Sequence, residues 1–134
     1  MPLDPTLHAT HHETCPRQAL LDAIGSLDGY EISGHQVLIA IYVRPNSTRS
    51  GLLRHDSEQR EDEWQGKVGL ILKMGPLAFT DLAPAWPNDT PPGVGDWVGF
   101  RQMEGVPRSI NGHMCKLFEA KAIRERLPQP DFIA

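Results

Sequence analysis

Two apolar runs set the frame for this chain. Residues 36–43 (QVLIAIYV) are rich in β-branched side chains and lie between Gly34 and Pro45, and residues 66–75 (GKVGLILKMG) are bracketed by glycines. Runs this short, closed by turn-forming residues, read as strands rather than helices. The chain has twelve glycines and twelve prolines in 134 residues, so it turns too often for long elements. Between residues 76 and 95 five prolines exclude any regular element. Residues 96–103 (DWVGFRQM) form a third strand behind a tight turn at Gly93-Val94-Gly95-Asp96. Residues 109–120 (SINGHMCKLFEA) form a hairpin around Asn111-Gly112, a dipeptide suited to the positive φ angles of a two-residue turn. Residues 121–127 (KAIRERL) fit either a last strand or a helical turn. Strands separated by irregular loops, with no strong interior helix, imply a mainly β fold, a small barrel.

Residues 1–33 form an N-terminal extension of different character. Residues 16–24 (PRQALLDAI) read as a short amphipathic helix. Pro16 suits its first position, Thr14 or Cys15 its N-cap, Gly25 its end, and Leu20, Leu21 and Ile24 its apolar face. The barrel domain is expected over residues 34–127, with a tail at residues 128–134.

Groups that could carry chemistry are few. His8, His11, His12 and Cys15 have the spacing that would share one helix face and suit zinc or nickel. Pro5 and Pro16 flank them and apolar residues are scarce, so the stretch reads as a mobile arm without metal. His113 and Cys115 alternate on an expected strand and face one side, an arrangement typical of packing. The carboxylates Asp56, Glu58, Glu61, Asp62 and Glu63 interleave with Arg54 and Arg60 as a solvated charge run, not an acid/base pair. No nucleophile elbow or phosphate loop is present. No catalytic residue is expected, and no cofactor.

A net charge of −4 with no basic stripe argues against nucleic acid. No apolar run approaches the ~20 residues of a membrane span, and the polar, His-rich N-terminus is unlike a signal peptide. Two distant cysteines read as free thiols in a reducing compartment, so the expected location is cytoplasmic.

The apolar triplet Gly51-Leu52-Leu53 at the head of the charged run 54–63 is harder to place. The order of features around it resembles the GroES, or chaperonin-10, family of co-chaperonins over residues 35–127. A strand (HQVLIAIYV) leads to a loop with a Gly-led apolar triplet, and a return strand (QGKVGLILKMGP) matches at Gly66, Val68, Leu72 and Gly75. After an irregular excursion, Val94, Gly95, Asp96, Val98 and Phe100 match the family's Val-Gly-Asp-x-Val-x-Phe. Gly105 and the closing INGHMCKLFEAKAI, through Ile123, complete the likeness.

The resemblance implies a partly open GroES-like β-barrel that assembles as a homo-oligomer, by family habit a heptamer. It implies a non-enzymatic lid on a GroEL-like chaperonin ring, with ATP bound and hydrolysed by the partner. Gly51, Leu52 and Leu53 would sit on a long mobile loop and dock between two chaperonin helices; otherwise the leucines plug the barrel's end. Residues 76–93 would be the roof loop, with Phe79, Leu82 and Trp86 packing across subunits or back onto the barrel. The chain departs from the family pattern at Arg54 and His55, which stand where another apolar residue and a proline are usual. It also departs in its long extension, and at Arg124, Glu125 and Arg126 in the last strand. Divergent chains of this kind look like GroES-like proteins of tailed bacteriophages, which act in the bacterial host cytoplasm. The alternative function is therefore a virion structural or capsid decoration protein that reuses the barrel.

Overall fold

The computed structural model describes residues 15–43 and 67–132. Among these residues one α-helix, α1 (Pro16–Ile24), precedes six strands: β1 (Gln36–Ile41), β2 (Val68–Met74), β3 (Trp97–Gly99), β4 (Val106–Ile110), β5 (His113–Glu119) and β6 (Glu125–Leu127). All six join one antiparallel sheet in the order β4-β5-β1-β2-β3-β6. Among the described residues the sheet is open: β4 and β6 form its edges and do not pair with each other. The fold is thus mainly β, as the sequence implies.

Sheet geometry explains why the β1 sequence is apolar without alternation. Successive side chains of a strand point to opposite faces, and here both faces are covered. Leu38 and Ala40 join Leu70, Leu72, Trp97 and Cys115 on one face, where Leu20 and Ile24 of α1 pack, with Leu27, Tyr30 and Ile32 behind them. Val37, Ile39 and Ile41 join Ile71, Val98 and Phe118 on the other, beneath Phe79, Ala120 and Ile123. Every residue from Val37 to Ile41 is fully buried. A strand buried on both faces reads as a continuous apolar run.

Helix α1 begins as its sequence dictates, with Cys15 at the N-cap and Pro16 at the first position. It ends at Gly25, whose φ of 81° the missing side chain permits. Leu20 and Ile24 are buried, each worth roughly 1.5–3 kcal/mol. Leu21, expected on the same face, is 41% exposed. The helix is also held at its flank, where Arg17 Nε donates to the Gly95 carbonyl at 3.0 Å.

The strand expected over residues 96–103 is shorter than its composition suggests. Asp96 is held in the preceding turn, its carboxylate accepting from the Gly93 N–H at 2.9 Å. After Phe100 the chain leaves the sheet to cover Lys116, whose Nζ donates to the carbonyls of Gln102 and Glu104. In residues 76–93 the structure adds two single 3-10 turns, Ala83–Ala85 and Pro87–Asp89. Residues 121–127 combine the two alternatives open in the sequence: a 3-10 turn at Ala120–Ala122, then β6. The Asn111-Gly112 turn takes φ values of 51° and 81° and closes the β4–β5 hairpin at the Ile110–His113 pair.

Candidate functional site

The triplet Gly51-Leu52-Leu53 lies outside the described residues, as do Arg54, His55 and the charged run behind it. The structure does place the stem from which that connection departs. Residues 44–66 join the two central strands of the sheet, β1 and β2, at one end. The Tyr42 N–H donates to the Val68 carbonyl at 2.9 Å, so the antiparallel pairing runs up to the connection itself. The next pair in, Ile41 and Gly69, sits in a close approach: a Cβ on Gly69 would lie 2.3 Å from Ile39 Cγ2 and 2.6 Å from the Ala40 carbonyl oxygen. Only glycine fits there.

Four further contacts brace the stem. The Tyr42 ring meets Trp97 edge-on at 5.6 Å, and its hydroxyl donates to Asp131 Oδ1 at 2.9 Å. His113 Nε2 lies 3.0 Å from the Ile41 carbonyl oxygen. On the β2 side, the Phe100 N–H donates to the Lys67 carbonyl at 3.0 Å. Strand, hairpin start and C-terminal tail therefore converge where the 44–66 connection leaves and returns.

The residues expected in a roof loop are placed on the sheet. Phe79 is buried with φ of 64°, and Leu82 and Trp86 are half-buried against the same core face. Phe79 and Trp86 meet edge-to-face at 6.2 Å, and the Arg126 guanidinium lies 5.6 Å from the Trp86 ring centroid. In this single chain the three residues pack inward.

Of the possible metal ligands, His8, His11 and His12 lie outside the described residues. Cys15 is exposed at the N-cap of α1, and the backbone N–H of Gln18 holds its thiol below the usual range, with smaller help from Arg17. Among the described residues no group of three or more His, Cys, Asp and Glu side chains could hold a metal ion. Cys115 is fully buried, and burial pushes its thiol up to about 12. A thiol so placed is an unreactive core residue.

Two features escaped the sequence reading. Lys116 is 4% exposed on β5, its ammonium desolvated and its pKa lowered by that burial. The alternation of β5 signals this position, because Lys116 falls between the inward-facing Met114 and Phe118. The second is a cleft of about 500 Å³ between the 82–87 wall and residues 120–126. Nothing short of the fold brings those segments together.

Among the described residues no helix is long and apolar enough to cross a membrane. No family model matches this chain, and no curated protein is significantly similar to it.

Proposed function

We propose that this protein is a co-chaperonin lid of the GroES-like type. In this reading the 44–66 connection docks on a chaperonin ring through Gly51, Leu52 and Leu53, and the partner binds and hydrolyses ATP. The chain assembles as a homo-oligomeric ring of GroES-like barrels and itself needs no cofactor. The observation that carries the reading is where the connection is rooted. A charged segment with one apolar triplet is inserted between the two central, largely buried strands, at a stem braced by Trp97, His113, Phe100 and Asp131. A rigid stem limits what docking must order to the segment itself, which lowers the entropic cost of binding.

The energetics favour a multivalent lid over a single arm. Burying two leucines is worth roughly 3–5 kcal/mol at ~1.5–3 kcal/mol each, and ordering the segment consumes much of that. Several such arms on one ring convert weak docking into firm but releasable capture. Arg54, next to the triplet, would weaken docking in an apolar groove unless its long stem lets the charge reach the rim.

A second reading, a virion structural or decoration protein, draws on the open sheet, whose edges β4 and β6 are unpaired among the described residues. The two part company in a pull-down on a purified bacterial chaperonin with ADP, with ATP and without nucleotide. Nucleotide-dependent capture that a Leu52→Asp, Leu53→Asp variant loses supports the lid. Folded protein that is never captured, but is stoichiometric in purified phage particles, supports the second reading.

A further inference from the structure

We infer that the cleft between the 82–87 wall and residues 120–126 is a binding site for a small organic anion with a flat apolar body, such as an aromatic carboxylate, sulfonate or phosphate. This does not depend on the lid reading. The cleft holds about 500 Å³, within the range of ligand pockets generally. Its walls are apolar and stiff: Leu82, Ala85, Trp86 and Pro87 on one side, Ala120 and Ile123 on the other. Phe79, buried beneath the first wall, anchors Trp86 edge-to-face. Ala120 and Ile123 of the second wall are themselves packed into the core.

The charges around this cleft reverse the sign of the acidic chain. Lys121, Arg124 and Arg126 all line it. The Arg126 guanidinium is held over the Trp86 ring, and Nη2 donates to the Thr90 carbonyl at 3.0 Å. That uses one of five guanidinium donors. The side chains of Lys121 and Arg124 are exposed and make no hydrogen bond or ion pair among the described residues. Glu125 is the one acid in the lining, and it is the cross-strand partner of Gly99, with its carboxylate against that glycine. Arg126 lies on the face of β6 opposite to Glu125, by strand alternation. Among the described residues, then, none of the three cations is held in an ion pair, although Glu125 also lines the cleft. A planar apolar body fits against Trp86, Pro87 and Ile123, and its anionic group meets Lys121 and Arg124 at the rim, as charge-assisted hydrogen bonds favour.

The test uses 8-anilinonaphthalene-1-sulfonate as the probe, in fluorescence titrations and in proton–nitrogen correlation NMR of the full chain. The expected result is saturable binding, with shift changes centred on the Trp86 indole N–H and residues 120–126. A Lys121→Ala, Arg124→Ala variant, both sites being exposed, is expected to keep its melting temperature and lose at least about tenfold in affinity. The neutral analogue N-phenyl-1-naphthylamine is expected to bind wild type at least about tenfold more weakly than the sulfonate. The inference is overturned by no binding at millimolar probe, by shift changes centred elsewhere, or by unchanged affinity in the folded variant. Equal affinity for the neutral analogue overturns it too, since the cleft would then be an apolar patch without anion recognition.

Discussion

The side-chain amide of Asn111, in the β4–β5 turn, donates a hydrogen bond to the carbonyl of Ile24, the last residue of α1. A residue that shapes a hairpin thus also closes the C-terminal end of a helix 87 positions away in sequence. The bond fastens α1 to the sheet, so the helix at Pro16–Ile24 belongs to the core. Asn111→Gly retains the turn's left-handed backbone but removes the amide. It should cost about 1 kcal/mol in denaturant unfolding. Asn111→Ala, with φ of 51° to satisfy as well, should cost more.

Phe79 supports both the core and the wall that carries Trp86. It is 2% exposed, so Phe79→Ala should destabilise the fold by roughly 3–5 kcal/mol. The same variant should shift the Trp86 emission toward that of a solvated indole. Chemical denaturation followed by fluorescence reads both effects together.

Gly69 tests the stem of the 44–66 connection. A methyl group there would run into Ile39 and the Ala40 carbonyl, neither of which is a flexible chain end. Gly69→Ala should cost roughly 1–3 kcal/mol, toward the upper end of what overpacking does. Gly29→Ala serves as the contrast in space: a Cβ there meets nothing within 4 Å, and only its φ of 86° opposes the change. Equal losses in the two variants would show that contact is not what matters at Gly69.

Burial of Cys115 ties stability to alkaline pH. Its thiol is raised from 9.0 to about 12 in the fold, so the unfolded chain releases this proton first. The stabilising preference for the neutral thiol is therefore whole below about pH 9 and is lost as pH rises toward 12. The loss is at most ~1.4 kcal/mol per pH unit. Lys116 acts in the opposite sense, since burial lowers its pKa and the unfolded chain then binds the extra proton. Comparing the wild type with Cys115→Ala across this window cancels the lysine. The difference between the two curves should narrow as pH rises.

Much of this fold was legible where local chemistry and tertiary context agree. The Pro16 start and Gly25 stop of α1, the apolar runs of β1 and β2, and the Asn111-Gly112 turn each appear where their residues demand. The lengths were less legible. Val106–Ile110 carries Pro107 and is almost wholly exposed, so it has no strand pattern of its own. It becomes a strand by pairing with β5. Pairing alternates from Ile110–His113, which puts Pro107 among the positions whose N–H faces the open edge, where a missing donor costs nothing. Leu21 looked like core because it neighbours Leu20, and it is exposed because the sheet meets α1 along the Leu20–Ile24 line.

The candidate site divides along the same physical line. The triplet Gly51-Leu52-Leu53 was legible as an anomaly, because two leucines heading a charged run have no local reason to be there. Its stem was not, since Trp97, His113 and Asp131 reach Tyr42 and Ile41 only through the sheet order and the tail. The same holds for the Lys121, Arg124 and Arg126 cleft, in which a proline-rich wall and the last strand meet.

Amide hydrogen exchange over residues 44–66, with and without a chaperonin ring bearing ADP, tests the central proposal most directly. The lid reading predicts that Leu52 and Leu53 gain protection in the complex, while the stem at Ile41, Tyr42 and Val68 is already protected in the free protein. Unchanged exchange at Leu52 and Leu53, with new protection confined to β4 or β6, would contradict it.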